Sequence, residues 1–438
     1  MQNVDVAIIG GGPAGSAAAI TLRKRDDISV AVIERGDYTN VKVGESLSPG
    51  ARGLLQYLGL WERFEQEQRL SLLGTEASWG SDRLGTMDFI LTLHGAGWAL
   101  DRRRFEEMMA ERAQVCGATL LKRSKVSACE YDGARWHLDI DGRAMTARYV
   151  IDAAGRTSPF SLGPNVHRQR NDTLTAVTAR LPRADGCSQM TRVEAIADGW
   201  WYASPLPSGE TIVCLFSDAS RIHSSRLADP DTWAKALGKT RYISALVKPS
   251  CYRPDRLHST AAFSSLLSGH DDRRPMIAAG DAIAARDPLS SSGIPNAIGS
   301  GIQAARVAAD WLFGKGELGA AYLDSVSQDH FAYLKTHWQT YRTETRWPTA
   351  PFWAFRAAKV SRRPETVVRA RPDGAPSIFV PARISKLIQD TAQTDMPLVD
   401  VVTQLRHTCP GIPDERLILA VEDLTAVVGT TPDGRPPH

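Results

Sequence analysis

Cysteine is sparse in this sequence and never paired in metal-ligand spacing. Cys116, Cys129, Cys187, Cys214, Cys251 and Cys409 are scattered along 438 residues without a CxxC. That argues against a disulfide framework or a zinc site, and for reduced thiols in a cytoplasmic protein. An excess of one charge is also missing. Lys and Arg number 52 against 49 Asp and Glu, a formal net charge of +3, so no global footprint for nucleic acid or an anionic membrane surface is present. Long hydrophobic runs are absent too. The most tempting stretch, Val4 to Leu22, is interrupted by glycines, and the first five residues carry Asp5 and no Lys or Arg, so it reads neither as a signal peptide nor as a membrane span. No internal repeat or low-complexity tract stands out. What is there is ordinary globular composition, 43% hydrophobic and 23% charged, and enough chain for about two or three domains.

The first forty residues carry the clearest chemistry. Val4 to Ile9 is a short apolar run that ends at glycine, the pattern of a buried parallel strand. Gly10-Gly11-Gly12-Pro13-Ala14-Gly15 follows and fits GxGxxG at Gly10, Gly12 and Gly15. An alanine-rich helix is expected from Ser16 to about Arg25, then a strand from Ser29 to Ile33 that ends in Glu34-Arg35. Gly10 permits the tight turn, Gly12 lets backbone approach a pyrophosphate, and Gly15 lets helix and strand pack closely. The helix N-terminus then faces the phosphates, and Glu34 can accept from both ribose hydroxyls. This motif alone does not separate NAD from FAD.

A second unit points to a flavin. Met276 to Asp281 reads as a strand ending in Gly280-Asp281, followed by Asp287-Pro-Leu-Ser-Ser-Ser-Gly293 and a helix from about Ile294 to Phe313. Free N–H groups at Gly293 and Ile294 suit the anionic edge of a reduced flavin, and Asp281 can bond a ribityl hydroxyl. Asp101-Arg102 opens an amphipathic helix with Phe105, Met108 and Met109 on its apolar side, and Val150 to Arg156 reads as a strand closing on a glycine turn.

Together these segments resemble the FAD-dependent monooxygenase superfamily with the fold of p-hydroxybenzoate hydroxylase, over residues 1 to about 345. The resemblance implies an α/β fold: a Rossmann-like FAD-binding domain (1–75, 96–160 and 272–330), an inserted β-sheet substrate domain (76–95 and 161–271), and an aromatic segment with a small helical C-terminal unit (331–438). It also implies FAD as cofactor and an active site between the first two domains. Arg102 takes the place of the family's flavin-contacting arginine, and Ser46 and Val126 join the implied flavin contacts. A solvated helix-start arginine beside Arg103 and Arg104 is the plain alternative for Arg102.

Val43-Gly44-Glu45-Ser46-Leu47-Ser48-Pro49 resembles the GE loop of the flavin-dependent halogenase branch. Two marks of true halogenases are missing. The WxWxIP motif has become Trp200-Trp201-Tyr202-Ala203-Ser204-Pro205, and no lysine lies between Lys42 and Lys122, where that family places the lysine that handles hypohalous acid. Trp200 and Trp201 read first as core aromatics. The Asp-Gly pair of hydroxylases that bind NADPH themselves is Ala154-Gly155 here, which leaves the source of electrons, NAD(P)H or a separate flavin reductase, open.

What remains is similar to the monooxygenases of tryptophylquinone biogenesis, the family that serves quinohemoprotein amine dehydrogenase maturation. That family's implied reaction is hydroxylation of a tryptophan in a partner polypeptide by O₂, through a C4a-hydroperoxyflavin whose distal oxygen the indole attacks. Glu45 is the candidate acid–base residue, with a structural carboxylate bonded to backbone N–H groups as the alternative. A flavin-dependent halogenase, a reductase of isoprenoid type, and a flavoprotein that binds a maturation partner without turnover are the competing readings. Neither nucleic acid nor membrane is expected as a partner. Eight aromatics between Phe331 and Phe355 read either as packing for the C-terminal unit or as docking anchors for a protein substrate. A polar stretch from Ser361 to Pro376 precedes three expected helices, Ala382–Thr391, Pro397–Arg406 and Pro413–Val428.

Overall fold

The computed structural model describes residues 2–39, 44–67, 70–89, 95–162, 166–269, 271, 273–357, 366–372, 376–377, 379–409, 412 and 414–430. Val43, Lys42, Pro413 and parts of the 361–376 stretch, all named above, lie outside these. The fold is α/β, as the sequence implies. One compact unit comprises residues 1–168 and 172–326, and the second comprises 169–171 and 327–438.

In the first unit, β1 (Gln2–Ile9) is the central strand of a mainly parallel sheet. Val6, Ala7 and Ile8 are fully buried, which is why β1 reads as a continuous apolar run and does not alternate. Parallel partners flank it: β2 (Val30–Ile33) on one side and Arg143–Asp152 on the other. Thr119–Leu121 extends the sheet beyond β2. The far edge of Arg143–Asp152 is shared. Antiparallel Trp136–Ile140 takes its first half, and parallel Met276–Ala278 takes its end. Between β1 and β2 runs α1 (Pro13–Leu22), which starts three residues before the expected Ser16 and stops three before the expected Arg25. Its buried Ala17, Ala18 and Ile20 share a core with Ile298, Ile302 and Ala305 of the helix Gly293–Phe313.

The second sheet of this unit runs in the order His258–Ala261, Leu174–Pro182, Glu210–Asp218, Gly199–Pro205, Met190–Ile196, Gly74–Ser78, Gly85–Asp88. Strand alternation divides its side chains. Val177, Ala179, Trp201, Val213 and Leu215 pack on Trp233 and Leu237. Ala176, Tyr202, Cys214 and Phe216 point the other way, into a cavity.

The second unit is less purely helical than expected. The helices Ala382–Thr391, Leu398–Thr408 and Asp414–Leu424 are present. The last stops at Leu424, because Thr425–Thr430 is a strand that pairs antiparallel with Thr366–Ala370. Val368, Ile388, Val401, Leu417 and Val421 form the core of this unit. Within the aromatic segment, Tyr333, Trp338, Tyr341, Phe352 and Trp353 are buried, and Tyr341 and Phe352 contact Trp353 at 5.8 and 5.1 Å between ring centroids. Much of that segment is interior packing. Among the described residues, no helix is long and apolar enough to cross a membrane and no cluster of metal-ligating side chains occurs. All six cysteines are free thiols.

Candidate active site

The turn from β1 into α1 builds one end of a cavity of about 1230 Å³. Gly10 has φ +107°, and a Cβ there would overlap the carbonyl oxygen of Ala153. A Cβ on Gly15 would overlap the carbonyl oxygen of Gly10. Both positions require close backbone approach. Gly12 is different: a Cβ there meets nothing within 4 Å, because this face of the turn is open to the cavity. Gly12 caps α1 with extended backbone and no side-chain hydrogen bond, and Pro13 occupies the first turn. The helix start is left for an anion.

Glu34 ends β2 against this turn. Its two carboxylate oxygens accept from Gly11 N–H and Gly36 N–H, each at 2.7 Å. Those bonds fix the rotamer and leave one acceptor site on each oxygen for a diol. Tyr38 donates to the Gly11 carbonyl at 3.0 Å and braces the same turn. Ser124 N–H donates to the Glu34 carbonyl at 2.9 Å, which brings Lys125 and Val126 to this end of the cavity.

Further along, Gly280, Asp281, Gly293 and Ile294 line the wall. The helix Gly293–Phe313 starts at Ser292, again without a side-chain cap. Asp281 accepts from Arg156 Nη2 at 3.0 Å, and Arg156 also donates to the carbonyls of Ala261 and Arg286 at 3.0 and 3.2 Å. The glycine turn before Arg156 is pinned from below by Asp152, whose buried carboxylate accepts from the Ser158 and Ser161 hydroxyls at 2.8 and 2.7 Å.

At the second sheet, Gly44 and Ser46 line the cavity on either side of Glu45, which is fully buried. Glu45 Oε2 accepts from Gly44 N–H at 2.7 Å, and Oε1 lies 3.8 Å from Arg180 Nη2 and accepts no hydrogen bond. Burial pushes its carboxyl up to about 7, against the pull of Arg102, the Gly44 N–H and Arg180. Arg102 Nη1 donates to the Gly44 carbonyl at 2.8 Å and Nη2 to Glu106 Oε1 at 2.5 Å. Burial, with the Glu45 charge nearby, raises the Tyr202 hydroxyl and the Cys214 thiol, so both keep their protons at neutral pH.

Of the residues singled out from sequence, Gly10, Gly12, Pro13, Ala14, Glu34, Arg35, Ser46, Arg102, Val126, Gly280, Asp281, Gly293 and Ile294 border this cavity. Gly15 and Glu45 do not. Gly15 sits beneath the turn, and Glu45 sits one layer behind the wall. Trp200 and Trp201 are buried, Trp200 stacked on Phe216 at 4.0 Å and Trp201 edge-on to Trp233 at 5.1 Å. Sequence reasoning missed Arg156, Tyr38, Arg180, Cys214 and Phe216 as neighbours of the site. Arg156 had a signal, its place directly after a strand and glycine turn. The others come together only through sheet pairing.

These residues fit FAD. An open glycine cradle and two uncapped helix starts border one cavity, and a fixed carboxylate stands at the end where an adenosine ribose belongs. Comparisons agree. The chain is 29% identical over 365 residues to LodB of Marinomonas mediterranea, named as an FAD-dependent oxidoreductase, covering 82% of this chain and 98% of that one. Its fold matches the myxobacterial chondrochloren halogenase CndH with a TM-score of 0.74 at 20% identity, over 81% of this chain and 86% of the halogenase. It matches the peptidyl tryptophan dihydroxylase QhpG, essential for tryptophylquinone cofactor biogenesis, with a TM-score of 0.67 at 20% identity, over 96% and 98%. The profile described as FAD binding domain matches residues 3–221, half of the chain. The chain therefore belongs to the FAD binding domain family and is a flavin-dependent enzyme that takes FAD.

Proposed function

We propose that this enzyme is a monooxygenase that hydroxylates a tryptophan side chain of a partner polypeptide, in the making of a tryptophan-derived quinone cofactor. The observation that carries the reading is the chemistry of the cavity's sheet end. A buried carboxyl poised near neutrality stands behind Tyr202 and Cys214. Among the described lining residues the lysine is Lys125, beside Glu34 at the ribose end. Among the described lining residues, no amine that could relay hypohalous acid stands at the sheet end. The likeness to QhpG, a peptidyl tryptophan dihydroxylase, supports the choice of substrate.

Reduced FAD supplies the activation of O₂ and an electrophilic oxygen at the cavity. The protein's part is to hold the indole, exclude water and handle protons. Tyr202 and Phe216 offer aromatic faces to an indole, and Trp200, the cross-strand partner of Phe216 on the same sheet face, stacks beside it. Hydroxylation replaces a ring C–H by C–OH, so a proton leaves the ring carbon. Glu45, one layer behind the wall with Oε1 free of hydrogen bonds, is the final acceptor of that proton, which the cavity-lining Tyr202 hydroxyl or a water relays to it. One oxygen atom of O₂ enters the ring and the other leaves as water, at the expense of two electrons from NAD(P)H or a separate flavin reductase.

The test is to incubate reduced holoenzyme, O₂ and a candidate tryptophan-bearing polypeptide, with and without bromide, and to weigh the polypeptide. A gain of one or two oxygens, lost in Glu45→Gln, supports the reading. A brominated product would select the halogenase alternative. Binding without a mass change would select a maturation factor that performs no turnover.

A further inference from the structure

Arg180 sits on the cavity-side face of the second sheet. Along the strand Leu174–Pro182, Ala176 lines the cavity, Thr178 donates to Cys214 Sγ at 3.3 Å, and Arg180 is next on the same face. Its side chain is 17% exposed, and its Nε and Nη2 are buried without a hydrogen-bond partner. The carboxylate it faces, Glu45, has an unbonded Oε1 3.8 Å away. A structural ion pair in this setting would close to a bidentate bond, since two unmet donors and an unmet acceptor are costly when buried. The gap leaves Oε1 open to carry a proton while the guanidinium charge still acts on it.

The surroundings make Arg180 the uncompensated charge. From the helix Arg102–Val115, Glu45 is faced by Arg102, which is tied to buried Glu106. From the second sheet it is faced by Arg180, Tyr202 and Cys214, of which only Arg180 is charged at neutral pH. Its own loop contributes the Gly44 N–H. Among the described residues, Arg180 has no other carboxylate partner.

We propose that Arg180 is a positioning residue that sets the proton affinity of Glu45 from behind the cavity wall, without occupying the oxygen that takes the proton. This rests on the acid–base role assigned to Glu45 above. It acts through space, so a cation of similar reach at position 180 should replace it in part. An opposite charge at this range holds a carboxyl down by about 1–3 pH units.

The experiment is an infrared titration of FAD-loaded protein with ¹³C-labelled glutamate, in which the protonated Glu45 band is assigned by its loss in Glu45→Gln. Arg180→Met should move the midpoint of that band upward by about one unit or more, and Arg180→Lys should restore most of the shift. Flavin absorbance checks that FAD remains bound, since Arg180 does not border the cavity. An unchanged midpoint in a flavin-loaded Arg180→Met protein would overturn the proposal, as would a shift that Arg180→Lys leaves in full. If Arg180→Met does not fold, Arg180→Lys and Arg180→Gln in the same titration decide, the second moving the midpoint further than the first. The titration needs no substrate. A shifted band with no oxygen transferred to any tryptophan would sink the proposed reaction and leave the Arg180–Glu45 coupling standing.

Discussion

Glu45 ties the protein's stability to pH in an unusual direction. Its folded value, about 7, lies above the ordinary 4.5. The folded state therefore holds a proton that the unfolded chain has released. Stability from this group is fully present below about 4.5, declines as pH rises, and is gone above about 7. The whole effect is about 3 kcal/mol. Replacing Glu45 by glutamine removes the charge and keeps the shape. The variant should unfold at a higher temperature than wild type at pH 8, and the two should converge below about pH 4.5. A variant less stable than wild type at pH 8 would show that the ionised carboxylate is welcome in its site. Residues differ in how far sequence revealed them. Glu34 was legible because its role follows from distance along the chain to a glycine turn. Arg180 was not, because what matters is its sheet register beside Cys214 and Tyr202.

The β1–α1 turn shows the same contrast within one element. Gly12 and Gly15 belong to the same motif, yet substitutions should separate them. Gly12→Val puts a side chain into open cavity, so the apo protein should keep its stability to within about 1 kcal/mol while FAD binds tenfold or more weakly, about 1.4 kcal/mol. Gly15→Val drives a side chain into the Gly10 carbonyl and should destabilise the apo protein by about 1–3 kcal/mol. Chemical denaturation and flavin titration of both variants check this. Equal loss of apo stability would remove the distinction between cradle and packing glycine. Elements whose patterns are local were readable: β1 and the helix Gly293–Phe313 lie within a residue or two of expectation. The strand Thr425–Thr430 was read as helix, since Ala426, Val427 and Val428 continue an apolar periodicity. Its pairing with Thr366–Ala370, more than fifty residues earlier, decided otherwise.

At the scale of the whole molecule, each unit has its own core, and the described residues that line the cavity belong to the first unit. Calorimetry should therefore show two transitions. Saturating FAD should raise one of them, by about 2.7 kcal/mol at a hundredfold excess over Kd, and leave the other in place. A single transition that moves as one would mean that the units unfold together. The glycine turn near residue 10 and the second helix start at residue 293 border the same cavity, and Met276–Ala278 adds to the sheet only at the end of Arg143–Asp152. This order has a consequence for biosynthesis. A nascent chain that has exposed only its first 270 residues owns the glycine turn but neither the strand Met276–Ala278 nor the second helix start at the cavity. On the reading proposed above, capture of the whole cofactor waits until the helix Gly293–Phe313 has left the ribosome, long after the glycine turn near residue 10 has done so.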